Sequence, residues 1–168
     1  RGFGNVYMVG VRPLEASQSR LVGPAFTLRF IPAREDVDSL ANYANDENVH
    51  RRAIEECPPG AVLVIDAQGC LRASSAGDLM VGRLKARGAA GIVTDGGFRD
   101  VGPMRRLELP AYHRQPTTPA TPIAMHPLEL NRPIGCAGVA VYPGDVLVGD
   151  EDGVVVIPRH VVEEVADE

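Results

Sequence analysis

The sequence predicts an α/β fold with a mixed central sheet, helices on one side of it and an antiparallel hairpin region near the C-terminus. The 168 residues, of which 45% are hydrophobic and 23% charged, suit one globular domain with a sizeable core. The apolar runs are continuous rather than alternating, which is typical of strands covered on both faces. Two of these runs flank a helical segment, which is the order of a β–α–β unit.

Six apolar runs, rich in Val, Ile, Leu and Ala, are predicted strands. They cover residues 21–30, 61–66, 91–95, 137–141, 146–149 and 154–157. Since most of them do not alternate apolar with polar residues, we expect both faces of the sheet to be covered.

Two segments between these strands are predicted helices. Residues 48–57 form the first helix, which Pro58-Pro59-Gly60 ends because proline disfavours helical backbone before it. Residues 78–87 form the second helix, with Gly88 as its C-terminal cap. The strands on either side of this second helix are predicted to be parallel and joined by a right-handed crossover.

The last third of the chain has a different character. Residues 115–133 contain five prolines and are predicted to be an extended connector. After residue 135, the turn sequences Pro143-Gly144-Asp145 and Asp152-Gly153 separate short strands, which predicts antiparallel hairpins. We expect these hairpins to form a second sheet that packs against the first.

Composition excludes several classes of protein. The formal net charge is −5 and the pI about 5.4, whereas a nucleic-acid-binding surface would need a basic face. No apolar run reaches the roughly 18 residues of a membrane span. The odd number of cysteines, three, argues against a disulfide framework and favours a reducing cytoplasm. We therefore predict a cytoplasmic protein that binds neither nucleic acid nor membranes.

The densest chemical signal is the segment Gly91-Ile92-Val93-Thr94-Asp95-Gly96-Gly97-Phe98-Arg99-Asp100. A buried strand ends in two glycines, which let the backbone approach a ligand, and then presents Arg99 and Asp100 where α/β sheets bind ligands. The guanidinium of Arg99 suits a carboxylate or an enolate oxygen, and the carboxylate of Asp100 suits Mg²⁺. The alternative is that Asp100 only caps a short helix near Pro103 and that Arg99 only pairs with Asp100.

A second signal is Ser74-Ser75-Ala76-Gly77-Asp78-Leu79-Met80, in which small residues lead into a helix. The free backbone N–H groups of such a helix start can hold a carboxylate or a phosphate. The alternative is a plain helix start at which Asp78 complements the helix dipole. Because both segments follow consecutive parallel strands, they can converge on one crevice, which favours the ligand-binding interpretation of each.

These segments together resemble the RraA-like family, which includes 4-hydroxy-4-methyl-2-oxoglutarate aldolases. The resemblance rests on Gly77-Asp78-Leu79-Met80, on the run 87–100 that ends in Arg99-Asp100, and on Leu109-Pro110-Ala111-Tyr112. The sequence 143–158 is similar to the C-terminal hairpin of that family, so the resemblance covers roughly residues 20–160.

The resemblance implies a swivelling β/β/α-type sandwich, a homotrimer or hexamer, and a site shared between subunits. Residues 1–168 would be one domain that lacks the N-terminal helical segment and the C-terminal tail of the family. Arg99 and Asp100 would be the catalytic residues, with Arg99 on the pyruvyl group and Asp100 on a divalent cation, Mg²⁺ or Mn²⁺. The substrate carboxylate would be held by the backbone of Gly77, Asp78, Leu79 and Met80.

Two functions follow from the resemblance. One is a metal-dependent aldolase of the class II type, which cleaves a 4-hydroxy-2-oxo acid into pyruvate and a carbonyl product; the same enolate chemistry would decarboxylate oxaloacetate. A lysine Schiff base is not expected, because the only lysine of the chain, Lys85, lies within a predicted helix. The alternative is a non-catalytic regulator that binds a ribonuclease, since the connector 115–133 resembles a subgroup labelled in that way.

Overall fold

The structure is a computed structural model that describes residues 2–43 and 45–167, without the side chains of Leu40 and Asn42. The helices are α1 Leu40–Tyr43, α2 Val49–Glu56, α3 Asp78–Ala86, α4 Val101–Arg105 and α5 Val162–Ala166, with 3₁₀ turns at Thr121–Ile123 and Arg159–Val161. Within the described ranges, no helix has both the length and the apolar character that crossing a bilayer requires.

Thirteen strands are described. They are β1 Arg12–Pro13, β2 Leu21–Pro32, β3 Val62–Asp66, β4 Ser74–Ala76, β5 Gly91–Thr94, β6 Gly97–Phe98, β7 Ala111–His113, β8 Gln115–Pro116, β9 Met125–Leu130, β10 Ile134–Cys136, β11 Val139–Val141, β12 Val146–Gly149 and β13 Val154–Ile157. The main sheet has the order β1-β7-β5-β3-β2-β12-β13. The four strands β7, β5, β3 and β2 are parallel, whereas β1, β12 and β13 are antiparallel to their neighbours. This arrangement confirms the predicted mixed α/β sheet.

The predicted crossover is present. β3 and β5 pair in parallel from Val62↔Gly91 to Ile65↔Thr94, with α3 between them in the chain. Gly88 follows α3 with φ +85°, and its N–H donates to the Lys85 carbonyl at 2.8 Å. Glycine suits this position because only a residue without Cβ adopts the left-handed conformation at no steric cost.

The core explains why the strand runs are continuously apolar. Along β3, Leu63 and Ile65 belong to the apolar cluster that includes the buried apolar residues of α2 and α3. The alternate residues Val62 and Val64 belong to a second cluster on the other face, together with residues of β10 and β11. Successive side chains of a strand point to opposite faces, so a strand buried on both sides needs an apolar residue at every position.

The C-terminal hairpin corrects one expectation. β12 and β13 do not form a second sheet but extend the main one, because β12 pairs with the first residues of β2 over Leu21–Pro24 of that strand. The predicted second antiparallel sheet is present only as the pair β10–β11, whose apolar residues pack against Val62 and Val64 of β3. A further small sheet, which is parallel, consists of β4, β6 and β8. Without β12, the backbone N–H and C=O groups along this part of the β2 edge would be unpaired, which explains why the hairpin joins the main sheet.

The predicted connector 115–133 also needs correction, because it contains the strand β9. This strand pairs antiparallel with the second half of β2, and the register shifts between Arg29 and Phe30 opposite Pro127. Proline is tolerated at sheet edges and bulges, where no ladder hydrogen bond has to be donated. The number of prolines therefore did not exclude a strand here.

Candidate functional site

Arg99 and Asp100 stand between the short strand β6 and helix α4. The backbone N–H of Arg99 donates to the Ala76 carbonyl at 3.0 Å, which fixes the loop after β5 beside the loop that leads into α3. Asp100 has φ 56° and ψ 38°, a left-handed conformation that residues other than glycine rarely adopt. Such outliers cost free energy and concentrate at functional sites.

The side chain of Asp100 does not cap α4, although the residue occupies the cap position. It makes no cap hydrogen bond. Its Oδ2 atom lies 3.3 Å from Arg99 Nε, and the two side chains are 43% (Arg99) and 42% (Asp100) exposed. The alternative given by the sequence was that Asp100 caps a short helix and that Arg99 pairs with Asp100. The structure shows the pairing but not the capping.

Gly77 lies directly against this pair of side chains. A Cβ at position 77 would come within 2.7 Å of both Arg99 Nε and Asp100 Oδ2. The backbone of Gly77 is extended, with φ −135° and ψ −178°, so any residue could adopt its conformation. What position 77 requires is the absence of a side chain, because only then do Arg99 and Asp100 fit where they are.

The N-terminus of α3 presents backbone donors next to Gly77. Gly77 is the N-cap and supplies no side chain to cap the helix. The N–H of Leu79 is taken by the carboxylate of Asp78 at 2.8 Å, whereas those of Asp78 and Met80 have no acceptor among the described residues. Free N–H groups at the positive end of a helix dipole favour an anion.

A recess of about 200 Å³ opens between these elements. It is lined by Tyr43, Ala76, Gly77, Met80, Arg99, Ala120, Thr121 and Pro122. Among the predicted site residues, Gly77, Met80 and Arg99 therefore share one recess, and Asp100 adjoins it at Gly77. The side chain of Leu79 is 82% exposed and lines a neighbouring cleft instead.

The glycine pair of the predicted ligand loop has a packing role. A Cβ at Gly96 would lie 2.8 Å from Ala67 Cβ and from Ser75 Oγ, and one at Gly97 would lie 2.6 Å from the Gln115 carbonyl. Both glycines are buried, so they allow close packing of neighbouring segments rather than the approach of a ligand. Gly77 is the glycine that makes room at the recess.

Three residues of this region carried no signal in the sequence: Tyr43, His50 and Thr121. Tyr43 reaches the recess from the end of α1, and its hydroxyl is hydrogen-bonded to Nδ1 of the buried His50. Thr121 Oγ1 donates to the Ser74 carbonyl at 2.7 Å, which ties the proline-rich segment to β4. These residues lie far from Arg99 in the chain, and only the tertiary fold brings them to it.

The Tyr43–His50 pair is uncharged. Burial, together with a smaller effect of the nearby Arg99 charge, lowers the pKa of His50 to about 3. Burial also raises the pKa of Tyr43 well above its ordinary value. The His50 ring packs edge-on against Phe30, with 5.1 Å between ring centroids. Tyr43 therefore presents a fixed, neutral phenol to the recess.

We expect the stability of the protein to fall as the pH drops below about 6.5. Burial lowers the pKa of His113 to about 4, as it lowers that of His50 to about 3. Both pKa values are about 6.5 in the unfolded chain, so between about pH 4 and 6.5 the unfolded state binds more protons than the folded state. The free energy of unfolding then decreases by up to about 1.4 kcal/mol per pH unit for each histidine.

Urea denaturation between about pH 7.5 and pH 4.5 measures this slope. The variant His50→Gln should show a shallower dependence of unfolding free energy on pH. The control His160→Gln, at an exposed position, should keep the wild-type slope. Equal slopes in wild type and His50→Gln would show that His50 is not held neutral by the fold.

Asp100 is the described side chain at the recess that best suits a divalent cation. Its carboxylate has Arg99 as its one polar partner among the described residues. Within residues 2–43 and 45–167, no three His, Cys, Asp or Glu side chains gather into a metal-binding group. Mg²⁺ is usually held by one or two carboxylates and keeps several waters, whereas structural Zn²⁺ needs four protein ligands. The residues present therefore fit Mg²⁺ or a similar hard ion.

A larger cleft, of about 730 Å³, shares no residue with the recess. Its lining is mainly apolar and includes Phe3, Val6, Val139, Tyr142, Val156 and Pro158. The carboxylate of Asp145 in this cleft already accepts the backbone N–H groups of Tyr142 and Arg159, at 2.9 and 3.0 Å. The cleft thus offers apolar surface rather than reactive groups.

The sequence and the fold both match known proteins. The RraA-like family, described as Aldolase/RraA, matches over residues 2–156. A relative from Halalkalibacterium halodurans named "Putative 4-hydroxy-4-methyl-2-oxoglutarate aldolase" is 38% identical over 152 residues, which are 89% of this chain and 64% of that relative. This chain therefore spans somewhat less than two thirds of the relative's length.

Two solved structures have the same fold. The crystal structure of Streptomyces coelicolor RraAS2, described as an unusual member of the RNase ES inhibitor RraA protein family, matches with a TM-score of 0.84 and 35% identity, covering 99% of this chain and 78% of that one. The RNA-processing inhibitor RraA from Thermus thermophilis matches with a TM-score of 0.69 and 26% identity, covering 91% of this chain and 84% of that one.

Proposed function

Because this chain belongs to the RraA-like family, we propose that it is a divalent-metal-dependent lyase that cleaves a 4-hydroxy-2-oxo acid into pyruvate and a carbonyl product. The observation that carries the proposal is the contact of Gly77 with Arg99 and Asp100 at the mouth of a small recess. The name of the Halalkalibacterium halodurans relative supports an aldolase. The same chemistry would release CO₂ from oxaloacetate.

Substrate binding in this proposal uses the N-terminus of α3 and Arg99. The free N–H groups of Asp78 and Met80 would hold the substrate carboxylate, which the helix dipole favours. The guanidinium of Arg99 would face the neighbouring oxo group with its planar set of donors. Since Gly77 has no side chain, the carboxylate and oxo group can approach both sets of donors at once.

Cleavage of the bond between C3 and C4 moves its electron pair onto the pyruvyl half, which becomes an enolate. Arg99 would stabilise this negative charge, because a fixed cation placed where charge develops lowers the barrier more than it strengthens substrate binding. Asp100 would hold a divalent cation, which when bound supplies Lewis-acid stabilisation of the same charge. The proton of the C4 hydroxyl would pass to a water molecule as C4 becomes the carbonyl product, and C3 of the enolate would take a proton from water to give pyruvate, so that no net proton is gained or lost.

No lysine lines the recess to form a Schiff base. Lys85 is exposed on α3, and its ammonium donates to the Leu107 carbonyl. As Lys85 is the only lysine of the chain, the stabilisation of the enolate falls to Arg99 and to a metal ion. An aldolase with this site would be of the class II type.

We also propose that the protein assembles into a homotrimer or hexamer and that the site is shared between neighbouring subunits. Large apolar side chains remain at least 36% exposed in this chain, among them Phe3, Tyr7, Val22, Tyr142 and Val155. A neighbouring subunit would cover such residues. Light scattering should give three or six times the mass of 17.9 kDa, and dilution should lower activity and assembly size together. An active monomer would contradict the shared site.

A cytoplasmic location fits the cysteines. Cys57, Cys70 and Cys136 are all free. Burial raises the pKa of Cys57 to about 11, so its thiol is protonated and unreactive at neutral pH. A reducing compartment leaves such thiols unpaired.

A coupled assay for pyruvate release tests the lyase proposal. The purified protein is given a panel of 4-hydroxy-2-oxo acids with Mg²⁺ or Mn²⁺, and again after addition of EDTA. We expect turnover that EDTA abolishes and added Mg²⁺ restores. Absence of pyruvate release across the panel would contradict the proposal, and EDTA-resistant turnover would contradict its metal dependence.

A second candidate function is a non-catalytic regulator that binds a ribonuclease. It is favoured by the structural match to RraAS2, whose description places it in an RNase ES inhibitor family. Inhibition of a purified ribonuclease of this type by stoichiometric amounts of the protein would support it. A protein that inhibits the ribonuclease and releases no pyruvate would favour the regulator over the lyase.

Gly77→Ala should reduce activity at least ~10-fold while the protein stays folded. The new Cβ would meet atoms of Arg99 and Asp100 at 2.7 to 2.9 Å, and these partly exposed side chains can move aside. Their displacement would remove them from the geometry that the reaction needs. Pyruvate release and thermal unfolding measure the two effects separately.

Gly82→Ala is the matched control on the same helix. Its Cβ would meet Leu107 at 3.7 Å, an ordinary contact. Alanine favours a helix over glycine by about 0.5–1 kcal/mol, so Tm should rise by about 1–4 °C with activity unchanged. Full activity in Gly77→Ala would show that the position of Arg99 and Asp100 is not critical.

A further inference from the structure

A buried pair of hydroxyl groups joins the two segments of the candidate site. One segment is 74–80, which leads into α3, and the other is 91–100, which ends in the Arg-Asp pair. Ser75 Oγ in the first segment lies 2.9 Å from Thr94 Oγ1 in the second, and both residues are completely buried. The hydroxyls bond to each other within the core, so they act on the site from behind and not on a ligand.

The backbone of β4 is irregular at Ser75. β4 and β6 pair in parallel through Ser74↔Gly97 and Ala76↔Phe98, so two steps along β4 correspond to one step along β6. Ser75 is therefore the extra residue of a β-bulge. Bulges re-aim a side chain and are common beside active sites. Here the side chain of the bulged residue meets the end of β5.

The same two hydroxyls hold the turn after β5. Thr94 Oγ1 also accepts the N–H of Gly96 at 3.0 Å. A Cβ at Gly96 would lie 2.8 Å from Ser75 Oγ, which shows how closely this turn packs on the serine. Among the described residues, Ser75 Oγ hydrogen-bonds only to Thr94. Removal of the Ser75 hydroxyl would therefore break the link between the segments and leave the turn bonded to Thr94.

The hydrogen bond fixes a separation that apolar side chains cannot reproduce. Two oxygens 2.9 Å apart are about 0.5–1 Å closer than carbon atoms in contact, which stay about 3.5–4.0 Å apart. Nearer the recess, the same segments meet where the Arg99 N–H donates to the Ala76 carbonyl at 3.0 Å and where Arg99 packs on Gly77. A change in the separation of Ser75 and Thr94 would therefore move these contacts.

We infer that Ser75 and Thr94 are positioning residues, whose hydrogen bond sets the distance between the N-terminus of α3 and the side chains of Arg99 and Asp100. The inference rests on the proposed function, in which a carboxylate binds at α3 while the oxo group faces Arg99. A misplacement of about 1 Å in such a site can cost about 100-fold in rate. Both segments belong to one chain, so the pair acts in this way whichever residues a neighbouring subunit adds.

Ser75→Ala tests the pair with the smallest change. We expect kcat for pyruvate release to fall at least ~10-fold at temperatures well below Tm. Titration calorimetry at saturating Mg²⁺ should show pyruvate, whose carboxylate and oxo group need both segments, binding at least ~10-fold more weakly. A separate titration with Mn²⁺, which the proposal assigns to Asp100, should match wild type. A general loss of structure would weaken both ligands.

Two substitutions of Thr94 separate the effect of the hydroxyl from that of side-chain shape. Thr94→Ser keeps the hydroxyl and should keep kcat near the wild-type value. Thr94→Val keeps the shape and should lower kcat at least ~10-fold. The addition of Ser75→Ala to Thr94→Val should cause no further loss, since the bond is already broken. The comparison of Thr94→Val with Thr94→Ser decides the question if Ser75→Ala does not fold.

Thr27→Val is the matched control. Thr27 is also completely buried, and its hydroxyl donates to the Arg132 carbonyl at 2.6 Å, so it joins neither of the two segments. This variant should lose stability in thermal unfolding but keep the wild-type kcat and pyruvate affinity.

Failure of this inference and failure of the lyase proposal give different results. Wild-type kcat and pyruvate affinity in Ser75→Ala, or equal losses in Thr94→Ser and Thr94→Val, overturn the positioning role and leave the lyase standing. A wild-type protein that releases no pyruvate from any 4-hydroxy-2-oxo acid, but binds pyruvate more tightly than Ser75→Ala does, removes the lyase and leaves the positioning role. A wild-type protein that neither releases nor binds pyruvate removes both.

Discussion

Arg99→Lys is expected to lower kcat for pyruvate release at least ~100-fold, the usual effect of removing a donor to a developing oxyanion. Lysine keeps the positive charge, but its ammonium is a single point and cannot reproduce the planar set of donors. The change also alters the contact of the Arg99 side chain with Gly77 and with Asp100 Oδ2. Steady-state kinetics with saturating substrate and Mg²⁺ measure the loss.

Arg106→Lys is the matched control for this substitution. Arg106 is exposed at the C-terminal end of α4, and among the described residues its side chain hydrogen-bonds only to the Gly102 carbonyl, at 3.4 Å. The kcat of Arg106→Lys should stay within about twofold of the wild-type value, since substitutions at exposed positions change the folded structure little. A kcat near the wild-type value in Arg99→Lys would place Arg99 outside the reaction.

Asp100→Ala is expected to abolish binding of Mg²⁺ or Mn²⁺ at the recess. The variant removes the one carboxylate that the proposal assigns to the metal, and waters alone do not hold an ion in place. Because Asp100 makes no cap hydrogen bond, the loss of stability comes instead from alanine in a left-handed conformation, at about 1–2 kcal/mol. Titration calorimetry with Mn²⁺ measures binding, and thermal unfolding measures stability.

Two further variants keep this experiment interpretable. Asp100→Asn removes the charge but keeps the size of the side chain, and asparagine tolerates the left-handed conformation. It should be close to wild type in stability and should bind Mn²⁺ at least ~10-fold more weakly. Asp36→Ala removes an exposed carboxylate that pairs with Arg34 at 2.6 Å, and should leave metal binding unchanged. Unchanged Mn²⁺ binding in both Asp100 variants would refute the metal assignment.

The segments most accurately predicted from the sequence are those whose structure depends on neighbouring residues. The predicted helix 48–57 is observed as Val49–Glu56, with the side chain of Asn48 accepting the N–H of His50 at 2.9 Å. Caps, proline stops and glycine ends act over a few residues, so they can be read locally. The continuous apolar run of β3 also correctly indicated a strand covered on both faces.

The segments mispredicted are those whose structure depends on distant partners. β9 was expected to be a connector, and it became a strand because β2 is long enough to offer it an edge. The hairpin β12–β13 was expected in a second sheet, and it joins the main one because the other half of the same edge was open. Which strand pairs with which is decided by the whole fold, so local patterns do not specify it.

The residues of the candidate site show the same difference between what local sequence indicates and what distant contacts decide. The sequence alone indicated Arg99, Asp100 and the stretch from Gly77 to Met80, because charged residues and small residues at the ends of parallel strands are recognisable as a pattern. Only the tertiary structure showed that Gly77 rather than Gly96 or Gly97 makes room at the recess, since that depends on which atoms pack against each glycine. It also brought Tyr43 and Thr121 to Arg99 from distant parts of the chain, through the burial of His50 and the bond from Thr121 to Ser74. Burial and long-range packing set the neutrality and size of the recess, and neither is encoded in any short stretch of residues.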